Sequence, residues 1–250
     1  MRDKIGVGVM GGGGISAEGH ICGYQADPRC EVVALYDLDE AKMKEQAQRL
    51  GVPHTYTDLD AFLQRDDIQA VSICSPDHLH GDHGHAALQA GKHVLCEKPM
   101  TMSYADTRLL IDTARQHQLL LMEGVWSRFQ PNYRRLKELL KEGLIGEVKL
   151  VRADFGFDAG WQPERRLLNP DLAGGGTYDV GVYPIMFAND LFGGVPMDIQ
   201  AMAEMTETGV DGHCSMLLRY PDGGVAQLNS GVQLRMRNDA IIYGKKGWIE

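Results

Sequence analysis

The stretch HVLCEKPM, His93 to Met100, closes a short apolar run with Glu97, Lys98 and Pro99. A lysine at the end of a buried strand is costly unless it is paired or put to use. Further along, GGGTYDVGVYP sets Asp179 and Tyr183 four residues apart, which places them on one face of a helix. A phenol, with an intrinsic pKa of about 10, is a poor base near neutrality. A neighbouring ammonium favours the phenolate, so Lys98 beside Tyr183 would make a workable acid–base pair. Taken singly, the two residues read as a surface lysine and a core tyrosine.

A second constellation lies near the N-terminus. VGVMGGGGIS contains G-x-G-x-x-S, with Gly11, Gly13 and Ser16 at the three small positions. The first permits a tight turn, the second a close approach of a pyrophosphate to the backbone, and the third close packing of helix on strand. Phosphates then lie at a helix N-terminus, where free N–H groups and the helix dipole favour anions. Asp37 follows at the end of the next strand, where a carboxylate can accept hydrogen bonds from both ribose hydroxyls of NAD. The same charge repels the 2′-phosphate of NADP, and Leu38 offers no arginine to hold it. The expected cofactor is NAD, with NADP the alternative; the plainer reading of Asp37 is the start of a turn.

SPDHLHGDHGH packs His78, His80, His83 and His85 into eight positions. Imidazole is a common zinc ligand, but no helical H-x-x-x-H pair is present and no cysteine or glutamate stands at a usual ligand spacing. No metal is expected. The segment reads as a loop at the carboxyl end of a strand, on the cofactor side, or as a solvated helix start.

Strands and helices must bring these groups together. Up to about residue 124, strand-like runs (KIGVGVM, CEVVALYD, HTYTD, QAVSICS, HVLCE, LLLMEGV) alternate with helical patterns, and Gly51 stands where it could stop the second helix. That alternation predicts parallel strands joined by right-handed crossovers, a doubly wound α/β sheet over 1–124. The remainder, 125–250, reads as an α+β domain on an antiparallel or mixed sheet, with PDGG at Pro221 to Gly224 a hairpin turn. The chain stops at GKKGWIE, in the middle of an expected strand, so the second domain reads as incomplete.

Composition limits the function classes. With 44% hydrophobic and 24% charged residues a real core can form. A formal charge of −9 leaves no basic footprint for nucleic acid or an anionic membrane. Five cysteines without C-x-x-C spacing fit reduced thiols better than a disulfide framework. Neither a signal-peptide pattern nor a transmembrane-length run is present, so a cytoplasmic location is expected.

Seven motifs in order, GGGGIS, SPDHLH, HVLCEKPM, EGVWSRFQP, KEGLIGEVKLVRADFG, NPDLAGGGTYDVGVYP and IIYGKKGWIE, resemble the Gfo/Idh/MocA oxidoreductases over nearly the whole chain. EGVWSRFQP, GGGTYDVGVYP and ETGVDGHCSMLLRYP are most similar to the branch of dimeric dihydrodiol and D-xylose dehydrogenases. The resemblance implies an N-terminal Rossmann domain and a C-terminal α+β domain on a largely antiparallel open sheet, paired into a homodimer. It implies Lys98, Asp179 and Tyr183 as catalytic residues; most of the family carries histidine where Tyr183 stands. Gly11, Gly13, Gly14, Ile15, Asp37, Ser75, His80, Glu97 and Lys98 fall at cofactor positions, while Trp126, Arg128 and Phe155 match or neighbour the substrate wall. Two departures stand out: the branch commonly grips NADP with an arginine where Asp37 and Leu38 stand, and family members continue past the equivalent of Glu250.

The implied reaction is reversible hydride transfer between a CH–OH carbon of a sugar, polyol or trans-diol and a nicotinamide. Tyr183 takes the hydroxyl proton, Lys98 lowers its pKa, Asp179 orients the substrate or the lysine, and Glu97 holds the strand end. An NAD-dependent glycosidase of the same family and a non-catalytic nucleotide-sensing regulator are the alternatives; the intact E-K-P lysine speaks against the regulator.

Overall fold

The computed structural model describes residues 4–250. The chain divides into two compact units, one ending at Gly124 and the other beginning at Val125.

The first unit is built on six parallel strands: β1 (Ile5–Met10), β2 (Cys30–Tyr36), β3 (His54–Tyr56), β4 (Ala70–Ile73), β5 (His93–Cys96) and β6 (Leu121–Glu123), in the order β3-β2-β1-β4-β5-β6. That order reverses between β1 and β4, and ligands of open α/β sheets bind outside the carboxyl ends of the strands at such a switch point. Strands covered on both faces must be apolar on both, and here they feed two cores. Val7, Val9, Val32 and Leu35 pack with Ile21, Met43 and Ala47. Val33, Tyr36, Val71, Ile73 and Cys96 pack with Phe62, Leu88 and Leu110.

Local chemistry sets the helix ends. Asp39 accepts from the Lys42 amide to start α2 (Glu40–Leu50), and Gly51 closes it at φ 68°. Asp58 caps α3 (Leu59–Leu63) and Ser103 caps α5 (Tyr104–Gln116), with α4 (His80–Gln89) between them. The helix after the glycine run includes a wide π-helical turn, Ser16–Ile21, before continuing as α1 (Cys22–Ala26). Such turns concentrate at functional sites.

The second unit carries α6 (Pro131–Lys141), α7 (Val182–Phe192) and six further strands: β7 (Val148–Gly156), β8 (Asp198–Met205), β9 (Asp211–Arg219), β10 (Val225–Gly231), β11 (Ala240–Gly244) and β12 (Gly247–Ile249). Their order is β12-β11-β7-β10-β9-β8, antiparallel except for the β7–β10 pair. Alternate residues Cys214, Met216 and Leu218 point to the core beneath α6 and α7, with Val151, Leu228 and Ile242. The expected hairpin forms: the Tyr220 N–H donates to the Gly224 carbonyl, and Gly223 takes φ 78°. A π-helical turn, Thr177–Gly181, leads into α7, so Asp179 lies in a wide turn and Tyr183 in the α-helix that follows it. Asp211 accepts from both the Thr177 amide and hydroxyl at 2.8 Å, and a Cβ on Gly176 would come within 3.0 Å of Gly231 Cα. A side chain there would have to push its neighbours aside by a few tenths of an ångström.

Asp190 is the polar tie of this unit. Its carboxylate accepts from Arg128 on the 3₁₀ turn Trp126–Phe129 (2.9 Å), and from Tyr133 (2.6 Å) and Lys137 (3.0 Å) on α6. Burial alone would raise the Asp190 carboxyl. The hydrogen bonds from Tyr133 and Lys137, with the charges of Lys137 and Arg128, outweigh it and hold the group below its ordinary value. A carboxyl depressed in the folded state adds stability above its unfolded pKa, about 3.9, and that stability is lost as pH falls through the folded value. Asp190→Asn is therefore expected to destabilise the protein by about 1–2 kcal/mol at neutral pH. The penalty should shrink as urea denaturation is repeated at successively more acid pH; an equal penalty at every pH would contradict this account.

Candidate active site

In the first unit the carboxyl ends of β1, β2, β4 and β5 lead into the glycine run, Asp37, Ser75 and Glu97–Lys98, all along one edge of the sheet. Gly11 takes φ 105°, and a Cβ there would strike the Cys74 carbonyl, so the turn out of β1 requires glycine. Gly13 and Gly14 face open space: a Cβ on either would meet nothing within 4 Å. Ile15 is half exposed, and Ser16 is fully buried with its hydroxyl donating to the Gly13 carbonyl at 2.7 Å. Glycines that leave their outer face open before a helix N-terminus make a cradle suited to a pyrophosphate.

The Asp37 carboxylate faces this loop. One oxygen accepts from the Gly12 amide and the other from the Asp39 amide at 2.9 Å. A carboxylate offers about four lone-pair directions, so two acceptor positions remain for a ribose diol. Leu38 is 72% exposed and carries no charge, and Asp39 and Glu40 next to it are acidic and exposed. A 2′-phosphate would meet only negative charge from Asp37 to Glu40. The residues present fit a nicotinamide dinucleotide.

The E-K-P loop is pinned on every side. Glu97 accepts from His20 Nε2 at 2.8 Å with one oxygen and from the Lys98 amide at 3.1 Å with the other. Burial would raise the Glu97 carboxyl, but the hydrogen bond from His20, with the Lys98 amide and ammonium, lowers it overall. The Met100 amide donates to Glu123 at 2.8 Å, and the Lys98–Pro99 peptide is cis. His80 is fully buried, its ring nitrogens 2.8 Å from the Pro99 carbonyl and 2.9 Å from the Ser75 carbonyl. Its ring therefore ties two loops together rather than pointing outward. Ser75 is buried, and its hydroxyl meets His83 Nδ1 at 2.9 Å. Burial first, and then the neighbouring His80, hold the His83 imidazole below its ordinary pKa. Among the described residues no group of three or more His, Cys, Asp or Glu side chains is arranged to hold a metal ion.

In the second unit Tyr183 stands in an aromatic corner. Trp126 Nε1 donates to its hydroxyl at 3.1 Å, and the rings of Phe155 and Trp126 meet it edge-on at 5.2 and 6.3 Å. A donor to the phenol oxygen favours the phenolate. Asp179 is buried and accepts from Arg166 at 2.8 Å. Arg128 turns to Asp190, as described above, and braces the turn that carries Trp126.

Two participants escaped the sequence reading. His20 and Arg166 each bond a residue that it had singled out, but across 77 and 13 positions in the chain, and no periodicity or motif marks them. His83 was named there only as one of a histidine cluster; the structure sets it against Ser75.

Comparison with known proteins accounts for both units. Residues 5–125 match the oxidoreductase family with an NAD-binding Rossmann fold, and residues 133–250 match the GFO/IDH/MocA C-terminal domain. Trans-1,2-dihydrobenzene-1,2-diol dehydrogenase from Mus musculus is 35% identical over 88% of this chain and 66% of its own length, and that from Oryctolagus cuniculus 33% identical over 94% and 71%. The chain thus spans just under two thirds of the mouse protein's length. An aldose-aldose oxidoreductase from Caulobacter crescentus, complexed with glycerol, superposes with a TM-score of 0.91 at 29% identity, over 98% of this chain and 76% of the other. A 3-ketoreductase from Actinomadura kijaniata, in complex with NADP and TDP-benzene, gives 0.87 at 33% identity, over 96% and 74%. With both units accounted for in chain order, this protein belongs to the Gfo/Idh/MocA oxidoreductase family.

Proposed function

We propose that the protein is a nicotinamide-dependent dehydrogenase acting on a CH–OH group of a sugar, polyol or trans-diol, with NAD preferred over NADP. The observation that carries this reading is the sheet edge of the first unit, where an open glycine cradle, a ribose-reading carboxylate and a braced lysine loop share the carboxyl ends of adjacent strands. The relatives' names supply the substrate class: a dihydrodiol dehydrogenase, an aldose-aldose oxidoreductase and a 3-ketoreductase all interconvert carbinol and carbonyl carbons.

A bound nicotinamide supplies the hydride acceptor. Gly11, Gly13, Gly14 and Ile15 would hold the pyrophosphate, and Asp37 would accept from the ribose. Ser75 and His80 shape the nicotinamide end, His80 by holding the Ser75 and Pro99 carbonyls in place. Tyr183 removes the substrate hydroxyl proton, its phenolate favoured by the Trp126 indole N–H, and Lys98 is the other catalytic residue. Asp179, neutralised by Arg166, orients the substrate hydroxyls, and Glu97 fixes the backbone at Lys98. Trp126 and Phe155 offer apolar faces against which a ring can lie, while Arg128 supports that wall through Asp190. Pairing of two copies is assigned to the outer face of the second sheet, where Met202, Leu217 and Trp248 are exposed. No helix among the described residues is long and apolar enough to cross a membrane, which suits a cytoplasmic enzyme.

Nicotinamide absorbance, followed across a panel of aldoses, polyols and trans-diols, tests the reading. Lys98→Met and Tyr183→Phe are each expected to lower turnover by about 10²- to 10⁴-fold, the range for loss of a general acid–base group, with NADH binding retained in Tyr183→Phe. Undiminished turnover in both variants would refute the assignment.

A further inference from the structure

A chain of buried polar groups runs beneath the E-K-P loop. Tyr24 on α1 meets the Ser72 hydroxyl on β4 at 2.6 Å, and Ser72 meets His20 Nδ1 at 3.1 Å. His20 Nε2 meets Glu97 at 2.8 Å, and the other Glu97 oxygen receives the Lys98 amide. The side chains of His20 and Glu97 are only 9% and 14% exposed, and Ser72 is fully buried. Three elements distant in sequence thus spend their buried polar atoms on one another, with no role yet assigned to His20, Ser72 or Tyr24.

The directions of the bonds follow from what each group can do. An ionised carboxylate only accepts, so His20 Nε2 carries a hydrogen. In the neutral ring Nδ1 then accepts from Ser72, and Ser72 Oγ accepts from Tyr24. Each of the three hydrogens then has an acceptor, and the chain points from Tyr24 toward Glu97. With a hydrogen on Nδ1, Ser72 Oγ would accept from both His20 and Tyr24, and the Ser72 hydrogen would be left without an acceptor in this chain of groups. A partly satisfied buried network of this kind is costly.

We propose that His20, fixed as the neutral Nε2–H tautomer by Ser72 and Tyr24, is a positioning residue that sets the Glu97 carboxylate and through it the backbone that aims Lys98. The proposal rests on the dehydrogenase reading for its consequence in turnover, but its geometry can be tested without it. His20 touches neither substrate nor the reacting atoms; it acts through Glu97 alone.

Glutamine presents one donor and one acceptor at the spacing of the two imidazole nitrogens, whereas leucine fills the space and offers neither. His20→Leu is expected to lower kcat about 10- to 100-fold, as small displacements of reacting groups do, with the NADH dissociation constant changed less than about twofold. His20→Gln should recover most of the loss. In a Glu97→Gln background His20→Leu should add less than about a further twofold, because the two act as one unit. In the protein without cofactor, long-range ¹H–¹⁵N spectra should show His20 as the Nε2–H tautomer, and Lys98 amide exchange should be faster in His20→Leu than in wild type or His20→Gln. Should His20→Leu not fold, Ser72→Ala is expected to accelerate Lys98 amide exchange in the same way. An Nδ1–H tautomer, a glutamine variant as impaired as the leucine one, or losses that multiply in the double variant would each overturn the proposal. Absence of wild-type turnover on every sugar and diol would count against the dehydrogenase reading instead, with the tautomer and exchange measurements still deciding the role of His20.

Discussion

The Asp37 carboxylate ties the end of β2 to the glycine loop that leaves β1, and the rest of the first unit is arranged around that tie. Its bond to the Gly12 amide fixes the loop where Gly13 and Gly14 lie open, and its bond to the Asp39 amide sets the entry to α2. Both bonds use backbone donors, which leaves acceptor capacity on the same two oxygens. One side chain thus shapes the cradle and remains able to read what enters it. The strand order then brings β4 and β5 alongside, with Ser75 and Lys98 at the same edge.

The E-K-P loop, Tyr183 and Asp179, to which the proposed reaction is assigned, are held by partners on neighbouring elements. The E-K-P loop is held by the Lys98 amide to Glu97, the Met100 amide to Glu123, and the Pro99 carbonyl to His80. Tyr183 is held by an indole hydrogen bond and two edge-on rings, and Asp179 by Arg166. Precise placement is what catalytic geometry demands, and here it is provided by groups that would be expensive to bury without partners.

Much of this was legible in the sequence, for identifiable reasons. Strands buried on both faces show as continuous apolar runs, and glycine at Gly11 and Gly51 marks backbone that other residues adopt only with strain. Asp37 could be placed because a strand, a glycine turn and a helix fix its distance from the loop. Chemistry and spacing singled out Lys98, Asp179 and Tyr183, the resemblance implied their catalytic roles, and the structure added the groups around them. Partners joined only by the fold stayed hidden: Arg166 is one of two adjacent arginines in an irregular segment, and His20 reaches Glu97 only once β1, β4 and β5 are assembled. His80 was placed at the nicotinamide end by motif; its buried ring lies against the Pro99 and Ser75 carbonyls. The wide turns at Ser16–Ile21 and Thr177–Gly181 carried no sequence signature, since their residues suit an α-helix equally well.

The central claim is that this sheet edge binds a nicotinamide dinucleotide and that Asp37 selects the form without a 2′-phosphate. Calorimetric titration of the protein with NADH and, separately, NADPH tests it most directly. The account predicts saturable binding of both, with NADH tighter by about tenfold or more, equivalent to at least about 1.4 kcal/mol. Equal or tighter binding of NADPH would contradict the role given to Asp37, and binding of neither would contradict the dinucleotide site itself.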